Sequence, residues 1–336
     1  MAKKKPYRFV LYLAARAAAA VVCILPRRAA LALARGAGWL SYALVKRQRT
    51  KILESLRKAY RQEKSGDEIR RLARKVFQHA AQTVVEVLRF PGLTREKLKT
   101  MVDAGEAIRL YESLLKEGRG VLSITAHLGN WELLAGVICI EGFSGAVVAR
   151  RVYYEPYNEW IVGLRRSVKV RTIYRDQSAR EILELLAANQ IIGLLPDQDI
   201  HGIRGVFVDF FGRPAYTPVA PVRLALASGS PIVANFLVRE PGDRYRVVLG
   251  SVIRPVVEGG AAASVFQREE AVKKYTAQWM TVFEKIIRQY PEQWAWMHDR
   301  WKTRAADERT ETKGARHPKR CQAPATVQQR EDILSP

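Results

Sequence analysis

From residue 119 to residue 253 the chain repeats one texture, in which short β-branched runs alternate with stretches of helical spacing. The runs are GVLSITA, SGAVVARRV, VRTIYR, QIIGLLP, SPIVANFLV and YRVVLGSVI; helical stretches between them include residues 179–188 and 219–228. That alternation predicts an α/β fold, a sheet covered by helices. Upstream, residues 46–115 read as helices. The segment SGDEIRRLARKVFQHAAQTVVEVLRF places Leu72, Val76, Ala80, Val84 and Val87 near helical spacing, with Ser65 or Asp67 as the cap. A last helix over residues 271–290 leads into PEQWAWMHDRWKTR. Beyond Arg304 the chain is polar and reads as a disordered tail, residues 305–336. No internal repeat is visible.

The N-terminus carries the longest apolar run. A basic MAKKKPYR precedes FVLYLAARAAAAVVCIL, and Pro26, Arg27 and Arg28 close it. The run is short for a bilayer span, which needs about 20 residues. Arg16 lies near its middle, where an unpaired charge costs about 2.5–3.5 kcal/mol. A second apolar run, residues 29–45, carries Arg35. No signal-peptide cleavage pattern stands out. The first run is therefore expected to be an uncleaved anchor that spans the membrane or lies deep in its interface; two buried core helices are the alternative. Basic residues on both sides leave its orientation open.

Charge points to the kind of partner. The 336 residues include 56 basic and 33 acidic side chains, a formal net charge of +23. So large an excess implies an acidic partner: nucleic acid, an anionic membrane surface or an acidic protein. Interleaved Trp and Tyr would suit nucleic acid, but the apolar N-terminus and the lack of a binding module argue against that reading. The apolar share of 48% excludes a disordered chain. Cys23, Cys139 and Cys321 lie far apart, with neither disulfide nor metal spacing, which suits a reducing compartment.

The chemistry is expected at HLGNWE, where an apolar strand run stops at His127 and Glu132 follows five positions on. In α/β sheets, ligands bind at the carboxyl ends of strands. Five positions along one helix would place the two side chains about 140° apart. With a strand end, a Gly-containing turn and a helix start between them, Glu132 can instead fold back onto the imidazole. His127 would then be a general base, with Glu132 fixing its tautomer and stabilising the imidazolium. No Ser or Cys stands beside His127 as a nucleophile, so the pair suits a base that activates a substrate hydroxyl directly. The same residues also suit ordinary helix capping.

HLGNWE resembles the signature of the late acyltransferases of lipid A biosynthesis, the bacterial lauroyl/myristoyl transferase family. Other blocks resemble that family in the same order over residues 7–304. They are LPRRAALALARGAGWLSY; RRVYYEPYNEWIVGLR, with Arg150 or Arg151, Asn158 and Arg165; LLPDQD, residues 194–199; GVFVDFFGRPAYTP, with Phe210, Phe211 and Thr217; and PEQWAWMHDRWKTR. One departure is Ser55-Leu56, where the family often has Asn-Leu.

The resemblance implies a glycerolipid-acyltransferase-like sheet flanked by helices. It implies three parts: an anchor over residues 1–45, an acyltransferase domain over 46–304 and the tail. The enzyme would work at the bacterial inner membrane, its active site facing the cytoplasm. It would move an acyl group from acyl carrier protein to a hydroxyl of a lipid A precursor, with no metal or other cofactor and no nucleic acid partner. A relative acylating another glycolipid, such as a phosphatidylinositol mannoside, is the runner-up. Oxyanion donors would come from backbone N–H groups of Gly129 and Asn130, or from an Arg of the 150–165 segment.

The substrate-binding set implied is Gly129, Asn130, Arg150, Arg151, Asn158, Arg165, Asp197, Asp199, Phe210, Phe211 and Thr217. Asp197 and Asp199 would hold an Arg of the site by ion pairing, although they also suit a turn or, lacking a third ligand, a poor metal pair. Phe210 and Phe211 would line the acyl pocket, or simply pack in the core. Trp294, Trp296, His298 and Trp301 resemble an interfacial belt or a structural closing segment. His79 and His317 carry no expected role.

Overall fold

The computed structural model describes residues 7–304 apart from 176 and 177, so the expectations about the tail, including His317 and Cys321, lie outside the described residues. Four helices come first: α1 (Tyr7–Ile24), α2 (Arg27–Leu44), α3 (Lys46–Tyr60) and α4 (Gly66–Leu88). Ser65 caps α4. Its side chain accepts from the Glu68 N–H (3.3 Å), while the Glu68 carboxylate accepts from the Ser65 N–H (2.8 Å). That reciprocal box satisfies two otherwise orphaned donors. Helix α2 packs on α4 through Ala30, Leu31 and Ala34. Gly38 allows the closest approach, since a Cβ there would sit 2.5 Å from the Gln78 Cα.

The rest builds the sheet. In chain order follow α5 (Arg95–Met101), β1 (Val102–Asp103), α6 (Gly105–Leu115), β2 (Val121–Ile124), α7 (Trp131–Ile140), β3 (Gly145–Ala149), α8 (Glu155–Ser167), β4 (Arg171–Tyr174), α9 (Ser178–Ala187) and β5 (Ile191–Leu194). Then come β6 (Gly205–Asp209), β7 (Pro214–Pro218), α10 (Ala220–Ser228), β8 (Ile232–Arg239), β9 (Tyr245–Ile253) and α11 (Val265–Gln289). Seven strands form one sheet in the order β1-β9-β8-β2-β5-β3-β4. Every neighbouring pair is parallel except the β8–β9 hairpin. The architecture is thus α/β, a mostly parallel sheet flanked by helices.

All six β-branched runs lie in this sheet. Three strands lie outside those runs: β1, within the stretch expected to be helical, and β6 and β7, which pair with each other as a separate antiparallel hairpin. Burial explains the texture. Leu122 and Ile124 of β2, Ile192 of β5 and Phe236 of β8 pack with Trp279 and Phe283 of α11 and Leu186 of α9. Val121 and Ile191, one residue out of phase, pack with Tyr111 and Leu114 of α6 on the opposite face. Period-two alternation buries both faces, so the strands read as continuous apolar runs.

Candidate active site

The pairing of β2 with β5 assembles the site. Their register matches Ile124 with Leu194, and the Thr125 N–H continues the ladder to the Leu194 carbonyl (3.0 Å). His127 and Asp197 each lie three residues past those paired ends, so they come off the carboxyl edge of the sheet side by side. The His127 Nδ1 lies 2.7 Å from Asp197 Oδ1, and the His127 backbone N–H donates to Oδ2, also at 2.7 Å. The Trp294 indole N–H donates to the same Oδ2 (2.9 Å). Asp197 is fully buried. Burial alone would raise its pKa, but the facing His127 ring and these N–H donors outweigh burial and hold it down to about 2. An ionised carboxylate accepts only, so the bond to Asp197 puts a proton on His127 Nδ1, and in the neutral ring the lone pair is then on Nε2.

This arrangement corrects the expected partner. Glu132 faces away from the imidazole in a bidentate pair with Arg165, Nε to Oε2 at 2.8 Å and Nη2 to Oε1 at 2.6 Å. Burial works against the Arg165 charge, but the Glu132 carboxylate more than offsets it and raises the pKa. Glu132 is the second residue of α7, and α8 carries Arg165 past it. Asp197, read as holding an arginine, holds the histidine instead.

The turn between strand and helix is tightly fixed. Gly129 has φ +64°, and a Cβ there would lie 1.9 Å from the Leu237 carbonyl oxygen, so only glycine fits. Its N–H donates to the Gln293 carbonyl (3.0 Å), and the Asn130 N–H donates to the Leu237 carbonyl (2.9 Å). Both backbone donors expected for an oxyanion are therefore already used. Asn130 is the N-cap of α7, accepting from the Leu133 N–H (3.0 Å), and its amide donates to Glu86 (3.3 Å). Glu86 is itself buried among Arg27, Arg239 and Tyr245. His79, given no role from sequence, supports this turn. Its Nε2 lies 3.1 Å from the Gly129 carbonyl oxygen, and burial pushes its pKa down to about 3, so it donates there as a neutral ring.

Several residues expected to touch substrate are occupied by protein contacts. Phe210 and Phe211 are buried in the core among Trp294, Trp296, Trp301 and Tyr60. Thr217 is buried and accepts from Arg300, which also donates to the Tyr216 carbonyl (2.6 Å). Burial pushes the Arg300 pKa down to about 10, so it stays charged at neutral pH and holds β7 to the closing segment. The Asp199 carboxylate binds the Thr303 N–H (2.7 Å) and hydroxyl (2.9 Å), not an arginine of the site. Asn158 is buried, accepting from the Val152 N–H (3.1 Å) and donating to the Tyr174 hydroxyl (2.7 Å). It orders the loop before α8. On that loop Arg150 and Arg151 are exposed, with Arg151 stacked 4.2 Å over the Tyr174 ring.

Beside the dyad lies a cavity of about 400 Å³ between α4, α7, α8 and the closing segment. Ala80, Val84 and Val87 form one wall and Ile161 and Leu164 another; Trp131 and Trp294 lie at the dyad end. The Trp131 ring centroid is 5.1 Å from that of His127. A mostly apolar cavity of this size, with a few polar groups at one end, suits an aliphatic ligand. Helix α1 runs along its α8 side, with Tyr12 edge-on to Tyr157 and Trp160 and Arg16 over Trp160.

A sequence model of bacterial lipid A biosynthesis acyltransferases matches residues 2–303. The chain is similar to a phosphatidylinositol mannoside acyltransferase of Mycolicibacterium smegmatis, 26% identical over 229 residues, or 67% of this chain and 70% of the relative. The corresponding protein of Mycobacterium tuberculosis is 27% identical over 154 residues, 44% of this chain and 48% of the relative. The lipid A biosynthesis lauroyltransferase of Escherichia coli is 26% identical over 190 residues, 55% of this chain and 57% of the relative.

Proposed function

The chain belongs to the bacterial lipid A biosynthesis acyltransferase family and is an acyltransferase, and from that premise we propose that it moves a fatty acyl group from an acyl thioester to a hydroxyl of a lipid A precursor, with His127 as general base. The observation that carries this reading is the buried Asp197 carboxylate on His127 Nδ1, beside an apolar cavity. The acyl chain occupies the cavity, so its carbonyl carbon comes to rest beside Nε2. His127 takes the acceptor hydroxyl's proton as the oxygen attacks, and Asp197 stabilises the imidazolium that forms. Collapse of the tetrahedral intermediate breaks the C–S bond, and the departing thiolate takes the proton from Nε2. The Glu132–Arg165 pair lines the same cavity and acts on substrate position rather than on the base.

Acyl carrier protein is the donor this reading favours. It is acidic, and the chain's +23 charge, with exposed Arg150 and Arg151 on the loop before α8, would speed the encounter. We place the protein at the inner membrane with its site toward the cytoplasm. Helix α1 is the one described helix long and apolar enough to cross a membrane. It rests on α8 through Tyr12 and leaves Phe9, Val10 and Leu13 exposed, while α2 exposes Trp39, Leu40 and Leu44. Two exposed apolar faces suit helices lying in the interface. On this reading residues 1–45 are the anchor of a glycerolipid-acyltransferase-like domain.

A phosphatidylinositol mannoside as acceptor is the second reading, favoured by the longer stretch matched in the M. smegmatis relative. Purified protein given acyl carrier protein thioester and each glycolipid in turn distinguishes the two. The proposal expects the lipid A precursor to gain the mass of one acyl ester. Gain by the mannoside alone would overturn the choice of acceptor.

A further inference from the structure

Gln198, next to the Asp197 that holds the base, makes an unusual bridge. Its Nε2 lies 3.0 Å from His298 Nε2 and sits over the face of the His127 ring, 3.0 Å from Nε2 and 3.3 Å from Nδ1. A carboxamide nitrogen has two hydrogens and no lone pair to offer. Over the ring face one of those hydrogens meets the His127 π system and lies off the in-plane lone pair of Nε2. His298 is pushed down to about pKa 4 by burial and by the neighbouring His127, so it is neutral and its Nε2 accepts the other. The two rings stand 5.2 Å apart, edge to face, with the amide between them.

This geometry has a consequence for turnover. Resting on the acyl-transfer reading, the acceptor hydroxyl must come within about 2.6–3.2 Å of His127 Nε2. The Gln198 N–H over the His127 ring leaves that lone pair open to the hydroxyl, while the other N–H stays on His298. The N–H over the ring then lies within reach of the carbonyl under attack. The backbone N–H groups of Gly129 and Asn130, expected from sequence as oxyanion donors, are committed to Gln293 and Leu237.

We propose that the Gln198 carboxamide, held through its second hydrogen by His298, donates to the acyl carbonyl oxygen as that oxygen becomes an oxyanion. Gln198 is thereby a catalytic residue and His298 its positioning residue. The step balances. The hydroxyl oxygen bonds to the acyl carbon, its proton passes to His127 Nε2, and the carbonyl electron pair moves to the oxygen that Gln198 contacts. When the C–S bond breaks, that pair returns to re-form the carbonyl and the Gln198 N–H is free again.

The test is steady-state kinetics of the full-length enzyme in detergent micelles with an acyl thioester donor. Gln198→Ala is expected to lower kcat by about 10²–10³-fold, with KM changed by less than about threefold. Gln198→Glu keeps the size but replaces the donor by an acceptor, and is expected to fall at least as far. His298→Ala lowers kcat by about tenfold. His298→Gln, whose carbonyl can still accept, recovers most of that loss, which a purely structural role for His298 would not predict. His127→Ala runs alongside. If it is inactive while Gln198→Ala or Gln198→Glu keeps wild-type kcat, the Gln198 assignment is wrong and the acyl-transfer reading stands. If His127→Ala is itself active, the parent reading fails.

Discussion

Asp197→Asn changes one atom and is expected to reverse the tautomer of the base. Two N–H donors, from the His127 backbone and Trp294, converge on Asp197 Oδ2, and the His127 ring contacts Oδ1. An asparagine has one acceptor oxygen. That oxygen is best spent where two donors meet, which leaves its NH₂ facing His127 Nδ1. Nδ1 must then accept, so the proton moves to Nε2 and the base has no lone pair toward substrate. The carboxylate charge that stabilises the imidazolium is lost as well. The expected fall in kcat is about 10³–10⁴-fold, or about 4–5.5 kcal/mol of barrier. The assay is acyl transfer by purified enzyme, with nitrogen-resolved NMR of the labelled imidazole reporting the tautomer. A second readout follows from the pKa of about 2. Because the folded value lies below the ordinary 3.8, the carboxylate's contribution, about 2 kcal/mol, is complete above pH 4 and is lost as pH falls toward 2. Asp197→Asn should lose that acid dependence. A variant that retains more than about a tenth of wild-type kcat, or whose Nε2 stays unprotonated at neutral pH, would refute the reasoning.

Glu132→Ala should raise KM and lower stability by about 3–5 kcal/mol, yet leave the acid limb of kcat/KM in place, because Glu132 pairs with Arg165 and not with the imidazole; a shifted acid limb would return Glu132 to the base. Arg165→Ala should cost a similar amount, and the double variant less than the sum in thermal unfolding, since both remove one pair. Ala80→Phe fills part of the cavity and should shorten the acyl chains transferred from a mixed donor pool, read by product mass; an unchanged distribution would place the chain elsewhere. Deleting residues 1–26 should leave only salt-sensitive membrane binding, because surface charges are screened beyond about 8 Å at physiological ionic strength; binding that survives salt and alkaline washing would put the anchor in α2, which exposes Trp39, Leu40 and Leu44.

Local signals carried most of the fold. The six strand runs, the Ser65 cap and helices α9, α10 and α11 all follow from periodicity and capping chemistry within a dozen residues. The β6–β7 hairpin was not legible, since Pro214 and Pro218 bracket a strand too short to show alternation. The site was legible in half. His127 at a strand end was readable, but its partner lies 70 residues away and is set by the register of β2 against β5. Sequence proximity favoured Glu132; the pairing of parallel strands put Asp197 there instead. Equal offsets of His127 and Asp197 from the ends of two apolar runs were a signal that could have been used. Phe210, Phe211 and Thr217 looked like pocket residues because their types suit a pocket, whereas burial assigns them to the core around Arg300. Gln198 and His298 lie in the LLPDQD and PEQWAWMHDRWKTR blocks, yet neither block shows a role for them, since a neutral amide and a closing-segment histidine acquire meaning only where they meet.

The central claim is that His127 catalyses transfer of an acyl group from a thioester to a glycolipid hydroxyl. The most direct test compares purified wild type and His127→Ala with labelled acyl carrier protein thioester and a lipid A precursor, following the label into lipid ester by mass. The account predicts one acyl ester gained with wild type and at least about 10²–10⁴-fold slower transfer by a folded His127→Ala. Transfer by His127→Ala at the wild-type rate would contradict it.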